Sequence, residues 1–169
     1  MKYLITGVVA SGKSSVRHVL EQRGYAGLEL DDPEICNWYH NFTGAIGIYV
    51  PGTSKEWLSQ YSWLADKKRL AERISVAGDI FVSGVPSNTT DIVDLFDNIF
   101  LLQISDYTIR KRLIGRTEAS AFGKSEDEVL DVYRWKPGFD VSMMQRGAIP
   151  IDAERSLSEV VDDILLRIR

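Results

Sequence analysis

The residue types that could do chemistry are concentrated at the start of the chain. Gly7-Val8-Val9-Ala10-Ser11-Gly12-Lys13-Ser14 fits G-x-x-x-x-G-K-[ST], the phosphate-binding loop pattern. Glycine at 7 and 12 lets the backbone turn sharply and approach a ligand closely. Successive N–H groups of such a loop face one concavity, at the positive end of the helix that follows. Lys13 is placed to reach the β- and γ-phosphates of a nucleoside triphosphate, and the Ser14 hydroxyl to ligate Mg²⁺. The cradle is expected to comprise Gly7, Ala10, Ser11, Gly12, Lys13, Ser14 and Ser15.

The flanking sequence supplies the elements the loop needs. Residues 2–6 are a short apolar run suited to a buried strand, and residues 15–21 read as a helix. A second strand, near residues 25–30, ends in Glu29-Leu30-Asp31-Asp32. At the carboxyl edge of a parallel sheet Asp31 faces the crevice where ligands bind. Asp32 before Pro33 reads as the cap of a helix over residues 34–40. Residues 41–52 are glycine-containing and irregular, and a helix is expected from about 54 to 76 on the spacing of Trp57, Leu58, Tyr61, Leu64, Leu70 and Ile74. The aromatics of this segment, Trp38 to Trp63, read either as the core of a small subdomain or as a pocket for a flat acceptor. Further strands are expected at 78–84, 98–104 and 147–153, with helices at 90–96, 106–114 and 156–169. Pro150 marks the last strand as an edge strand. A helix opened by the capping box Ser125…Glu128 is expected to break at Pro137-Gly138 and to resume toward Gln145. Five apolar strands alternating with helices imply an α/β chain, a parallel sheet covered on both faces. Right-handed crossovers then bring Ser14, Asp31, Ser83 and Ser87 to one edge.

Composition narrows the function classes. A length of 169 residues fits one domain with an ample core, and 44% hydrophobic with 26% charged residues is ordinary for a globular protein. A net charge of −4 provides no footprint for non-specific nucleic-acid binding. With Cys36 alone, no intrachain disulfide forms and a cysteine zinc site is not expected. No signal peptide or membrane-length apolar run is present, so a cytoplasmic protein without membrane partners is the expectation.

The chain resembles the small P-loop kinases of the adenylate kinase, shikimate kinase and gluconate kinase group. Four features in order carry the resemblance: the Walker A motif from Gly7 to Ser14; the acidic end of the second strand; Ser83-Gly84-Val85-Pro86-Ser87, similar to the turn after strand three in nucleoside monophosphate kinases; and Arg112-Leu113-Ile114-Gly115-Arg116, similar to the lead-in to the kinase lid. The resemblance implies a three-layer fold with strand order 2-3-1-4-5, a lid at about 117–125 and an acceptor-binding segment at about 33–77, all in one kinase domain over residues 1–169. It implies ATP and Mg²⁺, and a small-molecule acceptor. Arg112 then stacks on adenine, Arg116 contacts the transferring phosphates, and a second lid arginine is supplied by Arg134, with Arg146 second. Asp31 lines up with the residue that meets the acceptor hydroxyl, so it takes the base or orienting role, with Asp32 as runner-up, and, with Ser14, a share of the metal. Two departures stand out: Ser83 replaces an acid, and Ser87 replaces a phosphate-binding arginine.

Three functions follow in order of preference. The first is ATP- and Mg²⁺-dependent phosphoryl transfer to a hydroxyl or phosphate of a small molecule. The second is a nucleoside or nucleotide kinase whose aromatics stack the base, with Lys55, Arg69 or Arg73 replacing the missing arginine. The third is a nucleotide-binding regulatory module with little catalysis, motivated by Ser83. The sequence sets neither the acceptor nor the oligomeric state.

Overall fold

The structure, a computed structural model, describes residues 1–50, 53–115 and 126–168. Its centre is a five-stranded parallel sheet. The strands are β1 (Lys2–Thr6), β2 (Ala26–Glu29), then, after an inserted segment, β6 (Ile80–Ser83), β7 (Asn98–Gln103) and β8 (Ile149–Asp152). Across the sheet they run β2-β6-β1-β7-β8. Counted along the chain this is the expected order 2-3-1-4-5, with β1 in the middle and the Pro150 strand at an edge.

Alternation along the strands divides the core in two. Tyr3, Ile5, Phe81, Phe100 and Leu102 point to one face, where Val16 and Leu20 of α1 (Lys13–Gln22) and Val160, Val161 and Ile164 of α7 (Leu157–Leu166) cover them. Tyr3 stacks on Phe81 with ring centroids 4.6 Å apart. Leu4, Val82, Ile99 and Leu101 point to the other face, against Leu70 and Ile74 of α3 (Lys67–Ser75). The short α4 (Thr89–Ile92) and α5 (Asp106–Ile114) join the remaining strands.

The inserted segment departs from the sequence expectation. Residues 34–40 do not form a helix: Asp32 Oδ1 accepts from the N–H of Glu34 (2.8 Å), closing a turn, and Cys36–His40 is strand β3. The single helix expected over 54–76 is three elements, α2 (Lys55–Gln60), β5 (Tyr61–Ala65) and α3. With the two-residue β4 (Ile46–Gly47), β3 and β5 make an antiparallel sheet in the order β4-β3-β5. Tyr61-Ser62-Trp63-Leu64 has apolar spacing that fits either period, and pairing with β3 decides for the strand. Asp66 then caps a new helix, its Oδ1 accepting from the N–H groups of Lys68 and Arg69. Asn88 joins this small sheet to the carboxyl end of β6. Its side chain accepts from Ala65 N–H (2.9 Å) and donates to Ala65 O (3.0 Å), as a strand neighbour would.

The break expected at Pro137-Gly138 is absent: α6 (Glu126–Gln145) runs through Pro137. Proline costs the helix one hydrogen bond there. Val132 buried on one side, Met143 buried on the other, and two pairs that straddle the proline hold the helix together. These pairs are Lys136 with Asp140 (2.8 Å) and Trp135 edge-on to Phe139 (5.2 Å). The expected lid over 117–125 and the capping residue Ser125 lie outside the described residues.

Candidate functional site

The loop between β1 and α1 has the backbone its sequence requires. Gly7 (φ 145°), Ala10 (φ 67°) and Gly12 (φ 96°) all have positive φ. A Cβ at Gly7 would come within 2.6 Å of the Leu102 carbonyl and 2.9 Å of Ser11 Oγ, so only glycine fits. Gly12 is the N-cap of α1, no side chain caps that end, and its first turn holds no acid. Among the described residues no side-chain cap competes for that helix end, which suits it to an anion. Lys13 Nζ lies folded over the loop, donating to the carbonyls of Gly7 and Val8 (2.9 Å each). Thr6 Oγ1 and Ser11 Oγ are buried with no hydrogen-bond partner among the described residues, both beside this loop.

Arg112 of α5 reaches the same place. Its Nη1 donates to the carbonyls of Ala10 (3.1 Å) and Ser11 (3.3 Å), and its Nη2 to that of Ala153 after β8 (3.0 Å). The guanidinium thus ties the loop to the β8–α7 turn. Beside it lies a cavity of about 300 Å³ bounded by Gly12, Ser15, Val16, Arg112, Ala153 and Val160. Arg155 also borders it, held by Asp163 (2.6 Å).

On the other side of α1, Arg17 donates from Nε to Ser83 Oγ (3.1 Å) and Glu29 Oε2 (3.2 Å), from Nη2 to Glu29 (3.1 Å) and from Nη1 to Glu21 (2.5 Å). A half-buried cation therefore occupies the junction between the carboxyl ends of β2 and β6. Asp31 is exposed at the end of the turn after β2. It and Asp32 lie close enough to Cys36 to matter: burial first, then these two carboxylates, pushes the Cys36 thiol up to about 12.

The chain is similar to many solved structures, among them three that it matches over nearly its whole length. One is the deoxyadenosine kinase from M. mycoides with bound dATP: 14% identity, TM-score 0.60, and 99% of both chains covered. Another is the shikimate kinase from Aquifex aeolicus: 15% identity, TM-score 0.61, and 99% of this chain and 96% of that one. A third is a gluconokinase from Sinorhizobium meliloti: 20% identity, TM-score 0.52, and 95% of this chain and 87% of that one. The fold is that of the small P-loop kinases. No family model matches the chain, and no curated protein matches it in sequence.

Within this kinase fold the expected residues are distributed unevenly. Gly7, Ala10, Ser11, Gly12, Lys13, Ser14, Ser15 and Arg112 stand together around the loop. Arg134 is exposed on α6 and pairs with Asp131 of its own helix (2.9 Å). Arg146 bonds to Ser142 on the same helix (2.8 Å), and Arg116 lies outside the described residues. Arg69 and Arg73 engage Glu34, on the outer side of the turn after β2. The residue that sequence reasoning missed is Arg17. Its signal was present, a cation one helical turn past Lys13 with an acid four residues on, but a strand-end serine and glutamate are not legible as its partners without the fold.

Ser14 and Ser83 fit a divalent cation differently. The Ser14 hydroxyl is exposed in the first turn of α1, which suits a Mg²⁺ that arrives on nucleotide phosphates. Ser83 Oγ already accepts from a guanidinium, which disfavours a second cation. Among the described residues no group of three His, Cys, Asp or Glu is arranged to hold a metal, and no helix is long and apolar enough to cross a membrane.

Proposed function

We propose that the protein is a small-molecule kinase that transfers the γ-phosphoryl group of ATP to a hydroxyl or phosphate of a small acceptor. The observation that carries this reading is the loop of positive-φ residues with Lys13 folded over it, tied by Arg112 to a neighbouring cavity of about 300 Å³. Such transfer needs little covalent chemistry from the protein, so positioning and charge neutralisation do most of the work.

In this reading the loop amides and Lys13 hold the β- and γ-phosphates, and Arg112 presents its planar face to the adenine. Ser14 holds the nucleotide's Mg²⁺, which supplies charge neutralisation on the phosphates when bound. Asp31 orients the acceptor hydroxyl and, with Ser14, would share in holding the metal. Arg116 and Arg134 close over the γ-phosphate from the lid. The segment 33–77 holds the acceptor, and Arg17 fixes Glu29 at the edge of that crevice. The protein acts on a soluble metabolite in the cytoplasm.

A second reading names a nucleoside or nucleotide as the acceptor. It is favoured by half-buried rings grouped on the small sheet: Trp57 stacks on Tyr61 (4.1 Å, 10°) and Trp38 on Tyr49 (5.5 Å, 23°). Their mutual packing also serves the small sheet as a core.

A thermal-shift screen with ATP–Mg²⁺, followed by hydroxyl metabolites, nucleosides and monophosphates, tests both readings. The expected result is a shift with ATP, a further shift with one compound class, and phosphotransfer to that class. Lys13→Ala should cut turnover by about a hundredfold or more while the protein stays folded, the scale of losing one charge-stabilising donor. ATP binding without transfer to any acceptor leaves the regulatory module standing instead. Near-normal transfer by the variant removes Lys13 from the mechanism.

A further inference from the structure

Glu154 lies in the turn between β8 and α7, outside every motif of the sequence. Its Oε1 accepts from the backbone N–H of Ser105 (2.6 Å) and its Oε2 from the Thr108 hydroxyl (2.6 Å). Ser105 is the N-cap of α5, and its own hydroxyl accepts from the N–H of Thr108 (3.2 Å). In a capping box the acid that reaches back to the N-cap N–H comes from the third helical position. Here that position is Thr108, and the acid comes from a turn 49 residues after the cap. The Ser105 N–H bond first, then the Thr108 hydroxyl, holds the Glu154 carboxyl below its usual range, so it is an ionised, acceptor-only group at neutral pH.

The neighbouring residue completes a ring. Ala153 N–H donates to Gln103 O (2.9 Å), and Ala153 O accepts from Arg112 Nη2. Arg112 stands on the helix whose start Glu154 caps. Helix α5 is therefore held to the β8–α7 turn at both ends, by Glu154 at its N-cap and by Arg112 near its C-terminus. Arg112 of α5 and Ala153 of the turn both border the cavity beside the loop, together with residues of α1 and α7.

We propose that Glu154 is the positioning residue of the nucleotide-base pocket. By clipping the β8–α7 turn to the start of α5 it sets where Arg112 and Ala153, bonded to each other at 3.0 Å, stand on the border of the cavity, and with it the fit of the base. The inference rests on the reading of this loop as a nucleotide site. It assigns Glu154 no contact with phosphate, so its removal should be felt by the base and not by the phosphates.

Calorimetric binding of Mg–ATP and of Mg–tripolyphosphate separates the two. Tripolyphosphate reports on the loop alone. In Glu154→Ala, ATP should bind about tenfold more weakly, or about 1.4 kcal/mol, while tripolyphosphate stays within about twofold, the scatter of an independent site. Thr108→Val removes one of the two bonds and preserves shape. It should show the same selective loss at about threefold, which keeps the test alive if Glu154→Ala does not fold. Unchanged ATP binding in both variants, or equal weakening of ATP and tripolyphosphate, overturns the inference. A wild-type protein that binds neither compound overturns the nucleotide reading of the loop instead.

Discussion

Gly7 illustrates how strongly single positions are constrained at the site. Its φ of 145° is accessible mainly to glycine, and the Leu102 carbonyl occupies the space a Cβ would enter. Gly7→Ala must push backbone against backbone, so it should destabilise the fold by about 3 kcal/mol or more and weaken ATP binding together with it. Urea denaturation measures the first effect, and a loss below about 1 kcal/mol would mean the loop yields more readily than its geometry implies. Arg17 shows the opposite kind of control. It has no special backbone, yet Glu29 and Ser83 on two other elements and Glu21 on its own helix fix it, and it makes Ser83 an acceptor for a guanidinium.

At the scale of elements, polar contacts from the carboxyl end of β6 join the small antiparallel sheet to the parallel sheet. Asn88 makes two bonds to Ala65, and the N–H of Ser87 donates to Trp63 O (2.7 Å). Asn88→Ala removes two side-chain bonds and strands both backbone groups of Ala65, a loss of about 1–3 kcal/mol. Hydrogen exchange should speed up across β3 and β5 while β1, β6 and β7 keep their protection. Uniform acceleration over both sheets would show that the small sheet does not open separately. The sheet's own packing is aromatic, with Trp38, Trp57, Tyr61 and Trp63 in contact on one side. Of these rings the helical spacing had placed Trp57 and Tyr61 on one helix; Trp57 stands on α2 and Tyr61 opens β5.

At the scale of the molecule, several carboxylates near the carboxyl end of the chain link stability to pH. The Ser105 N–H holds Glu154 low, and the Ser156 hydroxyl holds Glu159 low in the capping box of α7. Burial pushes Asp163 up, but bonds from Arg167 and Arg155 outweigh it and hold it low. A carboxyl depressed in the folded state stabilises the fold above its unfolded value, and that contribution is lost as pH falls through the lower folded value. Thermal stability should therefore be level from neutrality to about pH 5 and decline below about pH 4, as unfolded carboxylates begin to take up protons. Melting curves from pH 7 to pH 2 test this, and a decline already complete above pH 5 would assign the acid sensitivity to other groups.

The strand order came only with the resemblance to the small P-loop kinases, whereas the loop, the parallel sheet, the edge position of Pro150 and the closing amphipathic helix were all legible in the residues themselves. Each depends on local information: glycine where φ is positive, an apolar run where a strand is covered on both faces, a 3.6-residue stripe where a helix has one buried side. Tertiary structure decided the remainder. Tyr61–Ala65 is a strand because Cys36–His40 is there to pair with it, and α6 passes Pro137 because packing on both sides of the proline outweighs one lost hydrogen bond. The partners of Arg17 and Glu154 are 12 to 66 and 46 to 49 residues away for their long-range bonds. Spacing along a chain carries no signal for such pairs, because only the crossovers of the sheet bring strand ends and helix starts to one edge.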